Sequence, residues 1–448
     1  MKQIRVATRV RRLLLIIGGL LLATVPLQAD PPGQERMDAV FSEFDRTSGP
    51  GCAVGVGSRG DLLFSSGYGM ADLDYGIPIS SQSRFFIASV SKQFAAASLW
   101  MLEQEALLDL DQDLREVLPE LEHQPAPLTA RQILHHTSGI RDLFDLLALA
   151  DVGLDPHYSV RQTLELIARQ KELNFEPGSA YSYSNSAYFL VSILVERLTG
   201  RSLDEYAREH FFLPSGMAST HFHDDTGRIV PDRVSSYRPF RDGYGRFIRD
   251  NLDRTGARGL VTTVEDLIRW EGNFYENRTS LDRFTEKMTT PGVLNDGEVL
   301  DYASGLRLGS YNGLETVSHG GNYMGFKTHF LRFPGEELAI AVLCNGSSIS
   351  PSGYAYDVAE LWLEEQMNTH TESMIGTYCN VELQSCLTIR REGADLFMER
   401  RMGDPVELSY IDEHRYSGGG WSLLWGPDRT RINIETNRTA PMTFERRE

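Results

Sequence analysis

Two strand-like runs near opposite ends of the chain constrain the fold most: Cys52-Ala53-Val54-Gly55-Val56 and Ile340-Ala341-Val342-Leu343-Cys344. Leu62 to Gly67 reads as a partner of the first, across a turn at Arg59-Gly60-Asp61. Gly305–Gly309, Glu315–His319, Lys327–Phe333 and Leu338–Leu343 read as companions of the second, followed by a helix from Tyr354 to Gln366. The interval between the two groups is helical in period. Strands, then helices, then strands and a closing helix predict an α+β fold with one mostly antiparallel sheet. The first and last strands should lie side by side in it.

The helical stretches carry their own punctuation. Gln34 to Phe44 has amphipathic spacing, and a helix from Ser89 runs to about Gln104. Thr129 stands as the N-cap of a short helix, and Val160–Arg169 is another. Asn185–Leu198 is long and apolar, and Gly200 ends it as a C-cap. Ser202 opens a helix to His210, and Thr263 with Asp266 has capping-box spacing for a helix through Tyr275. Beyond Met374 the pattern changes to short alternating segments broken by Gly, Asp and Pro, which predicts a small β-barrel. With 448 residues, the chain divides into a larger region over 30–370 and a barrel over 371–448.

Residues 1–29 form a separate element. Lys2, Arg5, Arg9, Arg11 and Arg12 precede an apolar run from Leu13 to Leu27, and Gln28-Ala29 offers a cleavage point. This is the pattern of an export signal peptide, too short in its apolar part for a stable membrane span. The expected location is therefore periplasmic or secreted, with no membrane association beyond the signal. Loss of the leader takes the formal charge from −18 to −23. So acidic a chain is repelled by nucleic acid and suits a small-molecule or peptide substrate. Four cysteines in an oxidising compartment permit disulfides. Cys379 and Cys386 are close enough to clip a hairpin, whereas Cys52 and Cys344 can pair only if their strands are neighbours; free buried thiols are the alternative.

Three stretches carry chemistry. In Ser89-Val90-Ser91-Lys92 the lysine falls three residues after the serine, on the same face of a helix start. A neutral amine there can take the serine's proton, since burial and nearby positive charge lower a lysine's pKa. The chain has only five lysines, and no other has a serine three residues before it. In Tyr183-Ser184-Asn185 a phenol and an amide two residues apart point the same way, suited to proton transfer and to holding a carbonyl. His319-Gly320-Gly321-Asn322 ends a strand with glycines that admit a substrate backbone, and a backbone N–H beyond them can stabilise an oxyanion.

In this order and at these separations, the three stretches resemble the serine β-lactamase and penicillin-binding-protein-like hydrolase family. The likeness is nearest to class C β-lactamases, D-Ala-D-Ala carboxypeptidases, D-aminopeptidases and related esterases. Framing segments support it: Leu134–Gly139, Phe175–Gly178, Pro214–Met217 and Gly259–Thr263. The resemblance implies a β-lactamase/transpeptidase-like fold with a five-stranded type of sheet and an all-helical region, the C-terminal barrel being lipocalin-like. It implies Ser89 as nucleophile, Lys92 as its base and Tyr183 as proton shuttle. It also implies Asn185, His319, Gly320, Gly321 and Asn322 as substrate-binding residues, with oxyanion donors at the Ser89 and Asn322 backbone, and no cofactor or metal.

One departure bears on substrate. His319 stands where classical β-lactamases have lysine, so a permanent cation is missing and β-lactam hydrolysis is disfavoured against peptidase or esterase activity. The expected function is an exported serine hydrolase cleaving amides or esters of small D-amino-acid or peptide-like substrates through an acyl-enzyme. A β-lactamase and a non-catalytic penicillin-binding-like sensor are the alternatives. Arg258 beside Gly259 also departs from the family's usual glycine. His221-Phe222-His223 superficially suggests a metal motif but lacks a further histidine and reads as a solvated loop, and His135-His136 reads as structural. There is no Gly-x-Ser-x-Gly elbow and no glycine-rich phosphate loop.

Overall fold

The computed structural model describes residues 32–447 apart from 45–46, 153–157, 226, 248–254, 365, 368–371, 393–394, 413–414, 427–428 and 437–438. The expected signal peptide lies outside the described residues. Helix α1 (Gln34–Val40) is followed by a 3-10 turn at Ser42–Phe44 in place of one continuous helix. Strands β1 (Cys52–Ser58) and β2 (Asp61–Tyr68) form a hairpin whose turn residues Arg59 and Gly60 both have positive φ. That conformation matches the twist of two-residue hairpins. The helical middle comprises α2 (Lys92–Gln104), α3 (Ala130–Leu134), α4 (Leu143–Leu149), α5 (Val160–Ala168), α6 (Asn185–Thr199), α7 (Leu203–Ala207), α8 (Val264–Glu271) and α9 (Phe284–Thr289). The caps read from the sequence form: Thr129 and Ser202 make complete capping boxes, Thr263 caps α8, and Gly200 ends α6 in the left-handed conformation.

Strands β3 (Arg307–Tyr311), β4 (Leu314–Tyr323), β5 (Phe326–Phe333) and β6 (Leu338–Cys344) then return the chain to the sheet, and α10 (Pro351–Trp362) covers it. The order is β3-β4-β5-β6-β1-β2, antiparallel throughout, six strands where the family likeness suggested five. The first and last strands do pair, with Cys52 directly opposite Cys344, and the two form a disulfide.

Alternation sorts the two faces of the sheet. Cys52, Val54, Val56, Ile340 and Val342 join the core under α1 and α10, while Ala53, Ala339, Ala341 and Leu343 join the larger core of the helical middle. On that second face β1 carries only small residues, because α8 lies close. A Cβ on Gly55 would come within 2.9 Å of Val264, and one on Gly57 within 2.1 Å of Ile268.

Two expectations need correction. Strand β4 does not end at His319 but continues to Tyr323, with Gly320 and Gly321 laddered to His329 and Thr328. His221-Phe222 is not a solvated loop: it is a buried strand segment paired with Leu260-Val261. Beyond α10, eight antiparallel strands between Gly376 and Arg446 close into a barrel with its own apolar interior. Cys379 and Cys386 face each other across its first hairpin and are bridged.

Candidate active site

Ser89 is presented by a strained turn. It lies in the 3-10 segment Ala88–Ser91 immediately before α2, and Ala88 adopts φ 49°, a left-handed conformation unusual for a residue with a side chain. The turn is pinned from both sides. Ile87 N–H donates to Leu260 O at 3.0 Å, and the Thr328 hydroxyl donates to Ile87 O at 2.9 Å. Gly321 is required here: a Cβ on it would sit 2.3 Å from Ile87 O and 2.2 Å from Thr328 Oγ1. Strand β4 can therefore lie flat against the serine turn only with glycine at that position.

Lys92, the first residue of α2, has no exposed surface. Its Nζ lies 3.1 Å from Ser89 Oγ, 2.9 Å from Asn185 Oδ1 and 2.8 Å from Ala257 O. Burial, above all, holds its pKa well below the ordinary lysine value; Asp142 opposes that shift and Arg258 adds to it. The three contacts match a neutral amine: two N–H groups for the two carbonyl oxygens and a lone pair for the serine O–H. The Asn185 amide is oriented by Asp142, whose Oδ2 accepts from Asn185 Nδ2 at 2.8 Å and from Asn185 N at 2.6 Å. A carboxylate accepts only, so the amide oxygen is left facing Lys92. Asp142 is also the N-cap of α4. Its partner stands 43 residues away in the sequence, a separation that local pattern does not bridge.

Tyr183 lies over this cluster, its ring centre 4.6 Å from Lys92 Nζ. Burial raises the phenol's pKa, and its hydrogen bond with Ser89 works against that rise. The framing segments position it. Asn174 N–H donates to Gly139 O, Gly178 N–H to Thr137 O and Ser182 N–H to His136 O, so the two framing loops hold each other.

Beneath Tyr183 runs a buried polar chain that the sequence did not reveal. Ser184 N–H donates to His136 Nδ1 at 3.0 Å, His136 Nε2 meets Tyr302 Oη at 3.2 Å, and Tyr302 Oη meets His319 Nε2 at 3.1 Å. His319 Nδ1 ends the chain at Gly320 O, 2.7 Å away. The terminal groups fix every proton. A backbone donor at one end forces Nε2–H on His136, Tyr302 then donates to His319, and His319 gives its Nδ1–H to the carbonyl. Burial depresses both imidazoles, His319 to about 3, so both are neutral. His136, expected to be structural, thus joins the tyrosine loop to β4.

The cavity in front of these groups has a volume of about 870 Å³ and is lined by Ser89, Tyr183, Asn185, His319, Gly320, Gly321 and Asn322. All the sequence-predicted site residues thereby meet in one place, Lys92 forming the floor beneath Ser89. Strand β3 pairs with β4 only as far as Ser318, so along His319–Tyr323 the side of β4 away from β5 has no neighbouring strand among the described residues. Arg258 lines the same wall, 4.4 Å over the Tyr323 ring. Among the described residues no cluster of His, Cys, Asp or Glu could hold a metal ion.

A mixed helical and antiparallel framework with Ser, Lys and Tyr around one cavity defines a penicillin-binding-protein-like serine hydrolase. The family model for beta-lactamase matches residues 37–360, and the chain belongs to that family. It is similar to a D-aminopeptidase of Gluconobacter oxydans, 30% identical over 365 residues that cover 80% of this chain and 68% of that protein. Among solved structures it is similar to the octameric penicillin-binding protein homologue from Pyrococcus abyssi, with TM-score 0.65, 19% identity, and 92% and 99% of the two chains covered. It is also similar to the D-amino acid amidase from Ochrobactrum anthropi SV3, with TM-score 0.59, 19% identity, and 74% and 99% covered.

Proposed function

We propose that this protein is an exported hydrolase that cleaves amide or ester bonds of small D-amino-acid or peptide-like substrates through an acyl-enzyme on Ser89. The observation that carries the reading is the buried Lys92 amine, 3.1 Å from the Ser89 hydroxyl with its other contacts taken by two carbonyl oxygens. Lys92 accepts the proton as Ser89 Oγ attacks the substrate carbonyl, and the charge developing on that oxygen faces the backbone N–H groups of Ser89 and Asn322. Tyr183, whose phenol stays protonated, passes a proton to the departing amine or alcohol. Water then attacks the ester on Ser89 by the reverse proton path and releases the acid.

The D-aminopeptidase relative supports the D-amino-acid part of the reading. Export is supported by the leader-like residues 1–29 and by two cross-strand disulfides, which persist in oxidising compartments. Among the described residues no helix is long and apolar enough to cross a membrane.

The test is labelling with a fluorophosphonate probe followed by peptide mass spectrometry. Wild type should carry the label on Ser89 and Ser89→Ala should carry none; equal labelling of both, or of neither, refutes the nucleophile. D-amino-acid amides, D-Ala-D-Ala peptides, short esters and nitrocefin then rank the substrates.

A further inference from the structure

We infer that Phe144 and Tyr323 close the acyl end of the cleft, so that the site takes substrates whose acyl part is no longer than one small residue; this rests on reading Ser89 as the nucleophile. Alternation decides which residues of β4 face the reaction. His319, Gly321 and Tyr323 share one face. It is the Ser89 face, because a Cβ on Gly321 would meet Ile87 O and the Ala88 Cβ. Tyr183, the proton donor to the departing group, stands at the His319 end, with the two ring centres 6.1 Å apart. The departing part of a substrate therefore lies toward His319 and its acyl part toward Tyr323.

The Tyr323 end is walled. The Phe144 ring, on the first turn of α4, meets the Tyr323 ring at 5.6 Å between centres and 44° between planes. Both residues line the active-site cavity, so the helical region and the sheet touch there. Tyr323 is backed by the Phe86 ring at 5.8 Å and by the Arg258 guanidinium 4.4 Å over its own ring. The turn that follows is held as well. Met324 and Gly325 both have positive φ, the Ser236 hydroxyl donates to Met324 O at 2.5 Å, and a Cβ on Gly325 would come within 2.5 Å of the Phe247 ring. From Gly321, against the serine turn, to Tyr323 is two residues of strand, roughly 7 Å. That room holds a single small acyl residue.

Behind this wall lies space that the reaction does not use. A second cavity of about 400 Å³ is lined by Phe86, Phe247, Met324 and Phe326, and both Arg258 and Tyr323 line the two cavities alike. The Tyr323 ring, with Arg258 over it, is thus the partition between them. Two further arginines of the second cavity, Arg228 and Arg246, are held by Asp204 and Asp72. Cutting back the Tyr323 ring joins the acyl end of the site to that space, where Phe86, Phe247 and Phe326 suit an apolar chain.

p-Nitrophenyl esters of graded acyl length test the wall. Wild type should hydrolyse the acetate and butyrate with kcat/KM about tenfold or more above the octanoate. Tyr323→Ala and Phe144→Ala, each checked for native circular dichroism, should each erase most of that difference, and Tyr323→Phe should keep it. Octanoate turned over by wild type as fast as butyrate, or a preference that survives both Ala variants, overturns the wall. Calorimetry puts the same question without chemistry. Ser89→Ala protein should bind N-hexanoyl-D-alaninamide no more tightly than its N-acetyl counterpart, and adding Tyr323→Ala should give the longer chain a severalfold advantage. An advantage already present in Ser89→Ala, or absent from the double variant, again overturns the wall. Ester turnover by Ser89→Ala equal to wild type, with the expected binding pattern intact, would instead remove the hydrolase reading and leave the wall standing.

Discussion

The site-bearing body and the C-terminal barrel bury their side chains on different terms. In the body, Lys92, His136, His319, Glu271 and Arg332 are all almost wholly withdrawn from water. Each costs desolvation, and that cost is what makes Lys92 neutral and His319 uncharged. Burial likewise lifts the Glu271 carboxyl to about 7, against the pull of Arg332. In the barrel, the interior is Met374, Tyr378, Ile389, Met398, Leu423, Trp425 and similar apolar groups, with Asn380 the one buried polar residue among those described. The body spends stability on a polar interior that performs chemistry; the barrel is packed for its own cohesion. It also touches the site's frame, since its strand Val406–Asp412 packs against β3, the strand that opens with Arg307.

The sharpest way to break this contrast is to remove the buried amine. Lys92→Met should lower kcat/KM by about 10²–10⁴, the usual contribution of a positioned base. A variant that keeps near-wild-type turnover would show that burial of Lys92 is structural. In wild type, activity should hold across neutral pH and fall toward acid, where the amine takes up a proton and ceases to act as a base.

A matching cut in the barrel should do the opposite. Trp425 is fully buried and its indole N–H donates to Tyr378. Trp425→Ala should cost about 3–5 kcal/mol of stability, read by denaturant unfolding, with turnover per titrated site unchanged. A lost burst of acylation at full folding would contradict the division of labour.

Acid should unfold the body before the barrel. The folded pKa values of His319 and His221 lie near 3, and those of His135 and His329 near 4, all below the ordinary histidine value. Above pH 6.5 these rings are neutral in both states. As pH falls below that, the unfolded chain binds protons that the folded one refuses, and stability drops by a few kcal/mol until the folded rings titrate. Beyond Met374 the sequence holds a single histidine, His414. Tryptophan fluorescence of single-tryptophan variants should show Trp270 in the body responding at higher pH than Trp425; simultaneous loss would sink this prediction.

The smallest effect concerns the buried proton chain. Tyr302→Phe leaves His136 Nε2–H without its acceptor and His319 Nε2 without its donor, which should lower kcat/KM about tenfold or somewhat more. A positioning role requires more than lost stability: the nitrogen-15 shifts of His319 should report loss of the fixed Nδ1–H tautomer.

Much of this molecule followed from local sequence. Thr129, Ser202 and Gly200 punctuated helices because capping depends on residues within a few positions. Ser89 and Lys92 were legible because one helical turn brings them together. Pairing Cys52 with Cys344 needed only the conclusion that the end strands are neighbours, which the strand–helix–strand order implied. Asp142 and Tyr302 were not legible as parts of a site. Their partners stand far away in sequence, and what matters about them is direction: which oxygen faces Asn185 and which nitrogen of His319 carries the proton. The amino-acid order determined the elements and the Ser89–Lys92 pairing, since those rest on short-range sterics and hydrogen bonds. Only the tertiary structure decided charge state and proton placement, because both depend on how completely distant segments exclude water from the same few atoms.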